Sequence, residues 1–210
     1  MQLDHEPTKV LVTGASGRGK SSYWTRLLIG YPAQHKFVFD HEGELAVRLR
    51  VRAAEDLAGL AQAANTPWCI FDPARMFPGR LPDAFAFFCD FTFQAAVKMR
   101  GSKLFACDEL QKLLGTDRIT DELALVLETG RRYGIDAVMV AQAPNLIHNR
   151  IRNQLTEVVT FQQLDGNALK YLREVGFNDE EVRQLRIGQF VARNLKTGGE
   201  ARGNVFALEN

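Results

Sequence analysis

The chain has 210 residues, 46% of them hydrophobic, and a formal net charge of +1. That apolar content suits one sizeable core, so a single domain over residues 1–210 is expected. Near-neutral bulk charge does not advertise a nucleic-acid binder, although a local basic stripe would not register in the sum.

The elements alternate along the chain. After an extension of eight residues comes a strand, Lys9–Thr13, then a glycine-rich loop and a helix over about Lys20–Ile29. A second strand, Lys36–Asp40, precedes an alanine-rich helix over Ala53–Ala64. A third strand, Trp68–Asp72, ends at Pro73. A long helix over Pro82–Met99 carries Phe85, Phe88 and Phe91 near one face for core packing, which leaves Phe87 and Phe93 for a subunit contact. Leu104–Asp108 is a strand, Asp121–Tyr133 a helix and Ala137–Gln142 a strand. Glu157–Gln162 is a further strand and Asn167–Val175 a helix. Phe190–Asn194 and Asn204–Leu208 pair as a hairpin around Gly198-Gly199, within a C-terminal unit of about 188–210. Short apolar strands alternating with helices define an α/β chain, with a mostly parallel sheet covered on both faces. No linker divides it.

Cys69, Cys89 and Cys107 are scattered in apolar runs without metal-ligand spacing. They read as buried reduced thiols, which fits a reducing cytoplasm. The leading MQLDHEPTK carries acids and no apolar stretch, unlike a signal peptide. No apolar run approaches the ~18 residues of a membrane span.

The strongest local signal is Gly14-Ala15-Ser16-Gly17-Arg18-Gly19-Lys20-Ser21, a complete G-x-x-x-x-G-K-[ST] phosphate loop between a strand and a helix. Its glycines let backbone N–H groups turn inward around a phosphate, and the helix that follows adds its N-terminal partial charge. Lys20 supplies a charge for β- and γ-phosphates, the Ser21 hydroxyl a Mg²⁺ ligand, and Ser22 completes the loop contacts. Leu104-Phe105-Ala106-Cys107-Asp108-Glu109 is an apolar strand ending in two acids, a Walker B pattern. Asp108 would hold Mg²⁺ and Glu109 would polarise the attacking water, in the crevice at the carboxyl ends of the strands. The alternative for the acidic pair is a solvated strand end. Gln142, ending its own strand, is either a γ-phosphate sensor or a polar strand cap.

In this order the motifs GASGRGKS, FVFDHEGELA, LFACDE and ETGRRYGIDAVMVAQAP resemble the FtsK–HerA superfamily of DNA-pumping ATPases. The resemblance runs from about Lys9 to Leu185, and its more specific part is Gly130-Arg131-Arg132-Tyr133-Gly134 with the strand ending in Gln142. Asp40 with Glu42 or Glu44 matches the family's second strand end. The family implies a RecA-like (ASCE) P-loop NTPase fold with an added strand next to the Walker B strand. It also implies ATP and Mg²⁺ as cofactors and a homo-oligomeric ring, a pentamer or hexamer, on double-stranded DNA. The short extension before the first strand leaves no room there for the accessory modules of longer members. The chain therefore looks most like the genome-packaging ATPases of tailless internal-membrane viruses with double-jelly-roll capsids. That implies capsid-vertex partners and a place in the host cytoplasm or at a packaging vertex.

A ring also implies an arginine reaching the neighbour's γ-phosphate. Arg131 and Arg132 are the first candidates and Arg150 and Arg152 the second; the alternative for each is a surface salt bridge. For DNA phosphates the candidates are Lys112 and Arg118 after the acidic pair, and two basic rows, Arg48, Arg50, Arg52 and Lys98, Arg100, Lys103. The alternative for the rows is a solvated face. Competing readings are a HerA-like helicase or conjugation ATPase, a filamentous-phage assembly ATPase, a small-molecule kinase, and a non-catalytic nucleotide-binding protein of a capsid vertex.

Overall fold

The computed structural model describes residues 6–114 and 119–207. In chain order these form β1 (Lys9–Thr13), α1 (Lys20–Gly30), β2 (His35–Phe39), α2 (Glu44–Leu49), α3 (Leu57–Ala63) and β3 (Trp68–Phe71). Then come α4 (Leu81–Lys98), β4 (Lys103–Cys107), α5 (Leu110–Leu114), α6 (Asp121–Thr129), β5 (Ile135–Ala141) and α7 (Asn149–Arg152). The chain finishes with β6 (Glu157–Thr160), α8 (Gly166–Glu174), α9 (Asp179–Gln184), β7 (Gln189–Asn194) and β8 (Glu200–Asn204).

The strands make one sheet in the order β3-β2-β4-β5-β1-β6-β7-β8. Strands β1 to β6 are parallel to one another; β7 pairs antiparallel with β6, and β8 with β7, at one edge. The parallel strands read as continuous apolar runs because both their faces are covered. Val10 and Val12 of β1 face a layer built with Trp24 and Leu28 of α1, whereas Leu11 joins the opposite layer. That opposite layer is dominated by phenylalanine, with Phe37, Phe39, Phe71, Phe85, Phe88 and Phe105 all buried. β5 lies between β1 and β4, so it separates the phosphate-loop strand from the acidic strand. This arrangement puts Gln142 between the two motifs.

Several sequence-based expectations change. Phe93 is buried with its ring edge-on to Tyr133 at 5.4 Å, and Phe87 packs on Phe77 at 5.3 Å; neither is left for a subunit contact. The alanine-rich helix starts at Leu57, not Ala53. Asp56 caps it by accepting from the Gly59 N–H at 2.8 Å, and Ala54 bridges to Phe71 instead. The helix over Asp121–Tyr133 is α-helical only to Thr129 and tightens into a 3₁₀ turn over Gly130–Tyr133. The second hairpin strand is Glu200–Asn204, not Asn204–Leu208, because a tight turn places Arg193 opposite Glu200.

The basic rows also dissolve. Arg48 sits on helix α2 paired with Glu44 at 2.7 Å, so Arg48, Arg50 and Arg52 do not share a strand face. Lys103 is 1% exposed; its ammonium donates to the carbonyls of Met99 at 2.6 Å and Tyr133 at 2.9 Å, closing two helix ends. The three cysteines are buried and free, as expected. Burial pushes the Cys69 thiol up to about 12 and those of Cys89 and Cys107 well above their usual value.

Candidate active site

The loop between β1 and α1 folds around its own backbone. Gly14, Gly17 and Gly19 take φ of 147°, 73° and 110°. At Gly17 a side chain would meet no atom within 4 Å, so the glycine answers to backbone conformation and leaves the space in front of the loop open. The loop is anchored from both neighbouring strands. The Ala15 N–H donates to the Gln162 carbonyl at 2.9 Å, and the Gly14 N–H to the Gln142 carbonyl at 3.2 Å. That same Gln142 carbonyl accepts from the buried Gln163 amide at 2.6 Å and the Thr13 hydroxyl at 3.3 Å. Gln163 and Thr13 carry no motif signature; only the pairing of β5, β1 and β6 brings them together.

Lys20 opens α1 and its ammonium donates to the Ala15 carbonyl at 3.0 Å. Burial lowers its pKa, opposed by the charges of Asp108 and Glu109. Burial thus disfavours the ammonium, and an anion in the loop would offset that cost. Asp108 has the complementary problem. Burial pushes its carboxyl up to about 6, against the help of the Glu109 N–H at 2.7 Å and the charge of Lys20.

Glu109 itself sits in the left-handed region at φ 48°, unusual for a side chain of its size. One of its carboxylate oxygens accepts from the Gln142 amide at 3.4 Å, and the other is ion-paired with Lys112, one turn along α5. Lys112 also lies 3.5 Å from Glu42 on the β2–α2 loop. A second glutamine, Gln111, accepts from the Gln142 N–H at 3.3 Å.

Ser16, Gly17, Gly19, Lys20, Ser21 and Ser22 line one cavity of about 300 Å³ together with Glu42, Asp108, Glu109, Gln142 and Phe206. The phosphate loop, the acidic pair and the strand-end glutamine thus meet, as the motifs require. The donor set fits a hard divalent ion: the Ser21 hydroxyl and an under-compensated Asp108 carboxylate offer oxygen ligands. His41, Glu42 and Glu109 also offer ligand atoms within 4.8 Å of one another. There the Lys112 ammonium already pairs with Glu109 and lies 3.5 Å from Glu42, so it occupies the place a cation would take. Asp40, matched to the family's second strand end, caps α2 by accepting from the Ala46 N–H at 2.9 Å.

The arginine candidates are not part of this cavity. Arg131 and Arg132 are exposed on the 3₁₀ turn that feeds the start of β5, at the other end of that strand from Gln142. Seven strand residues span about 23 Å. Arg150 is held by Glu128 at 2.6 and 2.9 Å, and Arg152 stacks over the Tyr171 ring at 5.0 Å. Lys112, expected at DNA, points instead to Glu109 and Glu42. Arg118 lies outside the described residues. Phe206 lines the cavity without a motif signature: its apolar stretch reads as strand, whereas β8 ends at Asn204.

No protein-family model matches the chain, and no curated protein matches it. Solved structures do. The genome packaging NTPase B204 from Sulfolobus turreted icosahedral virus 2, in complex with AMPPCP, aligns with a TM-score of 0.73 at 16% identity over 96% of this chain and 99% of its own. The DNA-packaging ATPase B204 from Sulfolobus Turreted Icosahedral Virus aligns at 0.66 and 16%, covering 95% and 98%. EssC ATPases 2 and 3 from Geobacillus thermodenitrificans align at 0.64 and 16%, over 97% of this chain and 40% of that one. The fold is that of the RecA-like P-loop ATPases, and it corresponds nearly end to end with both B204 structures.

Proposed function

We propose that the chain is an ATPase that couples hydrolysis to movement of double-stranded DNA, as a viral genome-packaging motor. The observation that carries this reading is the convergence of Lys20, Asp108, Glu109 and Gln142 on one cavity, with the water-activating type of carboxylate 3.4 Å from the sensing type of amide. Kinases that act on small molecules have no need of a second carboxylate beside the metal ligand, whereas a hydrolase has. Two further facts support the reading: B204, of matching length and fold, is a packaging NTPase, and it has been seen in complex with AMPPCP.

In this mechanism the loop amides of residues 14–22 and Lys20 hold the β- and γ-phosphates. Ser21 and Asp108 would hold Mg²⁺, which would supply positive charge to offset that on the phosphate oxygens. Glu109 orients and deprotonates water, and Gln142 reports the γ-phosphate to the loop through its own backbone, which is bonded to Gly14. For Glu109 to act, its ion pair with Lys112 must open. Because that ion pair engages Lys112, we assign Lys112 to gating Glu109 and not to DNA contact.

Arg131 or Arg132 would complete the site of a neighbouring subunit in a ring. Both are exposed and outside the chain's own cavity, which is compatible with action in trans. Capsid-vertex proteins are the partners such a motor needs. Among the described residues no helix is long and apolar enough to cross a membrane.

The test is nucleotide binding and turnover in two variants. Lys20→Ala should lose ATP binding. Glu109→Gln should bind ATP and turn it over at least a hundred-fold more slowly, the scale of a positioned base. Full turnover in Glu109→Gln would refute the assignment of the base.

A further inference from the structure

The cavity has two ends, and the chemistry above uses one of them. β1, which delivers the phosphate loop, has β5 and β4 on one side, and these carry Gln142, Asp108 and Glu109. On its other side lie β6, β7 and β8. A nucleoside triphosphate with its γ-phosphate at Asp108 and Glu109 must leave the loop toward that second side. Phe206, two residues beyond β8, lines the cavity there.

Phe206 differs from the rest of the aromatic population. Phe37, Phe39, Phe71, Phe85, Phe88 and Phe105 are fully buried, whereas Phe206 is 54% exposed. Among the described lining residues it is the one aromatic ring.

Its position is built, not incidental. The Gly188 N–H donates to the Arg18 carbonyl of the phosphate loop at 3.0 Å, and the Val205 N–H donates back to the Gly188 carbonyl at 2.9 Å. Val205 packs toward Gly19, where a methyl group would lie 3.1 Å from its side chain. The Phe206 N–H is fixed by the Asn204 side-chain oxygen at 2.9 Å. The ring rests on bare backbone at Gly188, where a methyl group would sit 2.5 Å from it. One part of the ring is therefore seated against the loop's own support and the rest is open to the cavity.

We propose that Phe206 is the stacking platform for the nucleobase of the bound triphosphate. The proposal rests on the nucleotide-site reading above and extends it by assigning the base end. Stacking reads a π-face and no hydrogen-bond pattern, so the platform serves adenine and guanine alike.

The experiment compares two ligands, ATP and inorganic tripolyphosphate, in the wild type, Phe206→Ala and Phe206→Trp, by calorimetry with Mg²⁺. Phe206→Ala should bind ATP on the order of ten-fold more weakly and bind tripolyphosphate as the wild type does. Phe206→Trp should restore ATP affinity, and ATP should change its tryptophan emission in a way that tripolyphosphate does not. Equal ATP affinity in the wild type and Phe206→Ala overturns the platform. So does an equal loss for both ligands, which would report a disturbed loop and not a lost stack. A wild type that binds neither ligand overturns the nucleotide site itself, and the platform with it.

Discussion

At the scale of single residues, the site is a set of charges that burial has left incompletely matched. Asp108 shows it in a form that can be measured. Its carboxyl is lifted from 3.8 to about 6 by burial. Between those values the folded chain binds more protons than the unfolded one, so stability falls as pH rises through the window. The penalty is absent below about pH 4 and complete above about pH 6, and it amounts to at most about 3 kcal/mol. In nucleotide-free protein with chelator, Asp108→Asn should therefore melt above the wild type at pH 7.5, and the two should converge near pH 4. A gap that does not change with pH would contradict this account. The thiols give a second residue-scale prediction. With Cys69, Cys89 and Cys107 buried and their pKa values raised, the native chain should resist alkylation at pH 7.5 and react only once unfolded. Rapid native labelling would contradict their placement.

At the scale of elements, the phosphate loop depends on its neighbours as much as on its glycines. The C-terminal hairpin is tied to it through Gly188, whose φ is +85° and whose missing side chain makes room for Asn204 and Phe206. Gly188→Ala should cost about 1–3 kcal/mol in urea unfolding and also weaken nucleotide binding, since the added methyl pushes the hairpin from the loop. Unchanged stability and affinity would mean that the hairpin is not part of the site. This is also where sequence reading reached its limit. The loop was legible because a phosphate cradle is a local backbone problem, solved by eight consecutive residues from Gly14 to Ser21. Asp108, Glu109 and Gln142 were legible because strand ends in a parallel sheet share one edge. Thr13 and Gln163 were not, since they meet only through the pairing of β1 with β6. Val205 and Phe206 read as strand because they are apolar, yet Val205 covers the loop and Phe206 lines its cavity. Lys103 was read as basic surface, whereas its long stem and ammonium close two helix ends inside the fold.

At the scale of the whole molecule, the account requires more than one chain. The cavity is lined by the proposed base Glu109 and the proposed metal ligands Ser21 and Asp108, and by no arginine among the described lining residues. Arg131 and Arg132 lie at the far end of β5. ATPase activity per chain should therefore rise with protein concentration. Arg131→Ala, inactive alone, should regain turnover when mixed with Glu109→Gln, since each variant supplies the half that the other lacks. Specific activity independent of concentration would contradict a site shared between subunits.

The most direct measurement is the steady-state rate of ATP hydrolysis with double-stranded DNA, with single-stranded DNA and without DNA, using Glu109→Gln as the blank. The account predicts a rate that duplex DNA raises and that the variant lacks under every condition. A rate indifferent to DNA, or one that survives in Glu109→Gln, would contradict a DNA-coupled ATPase built on this site.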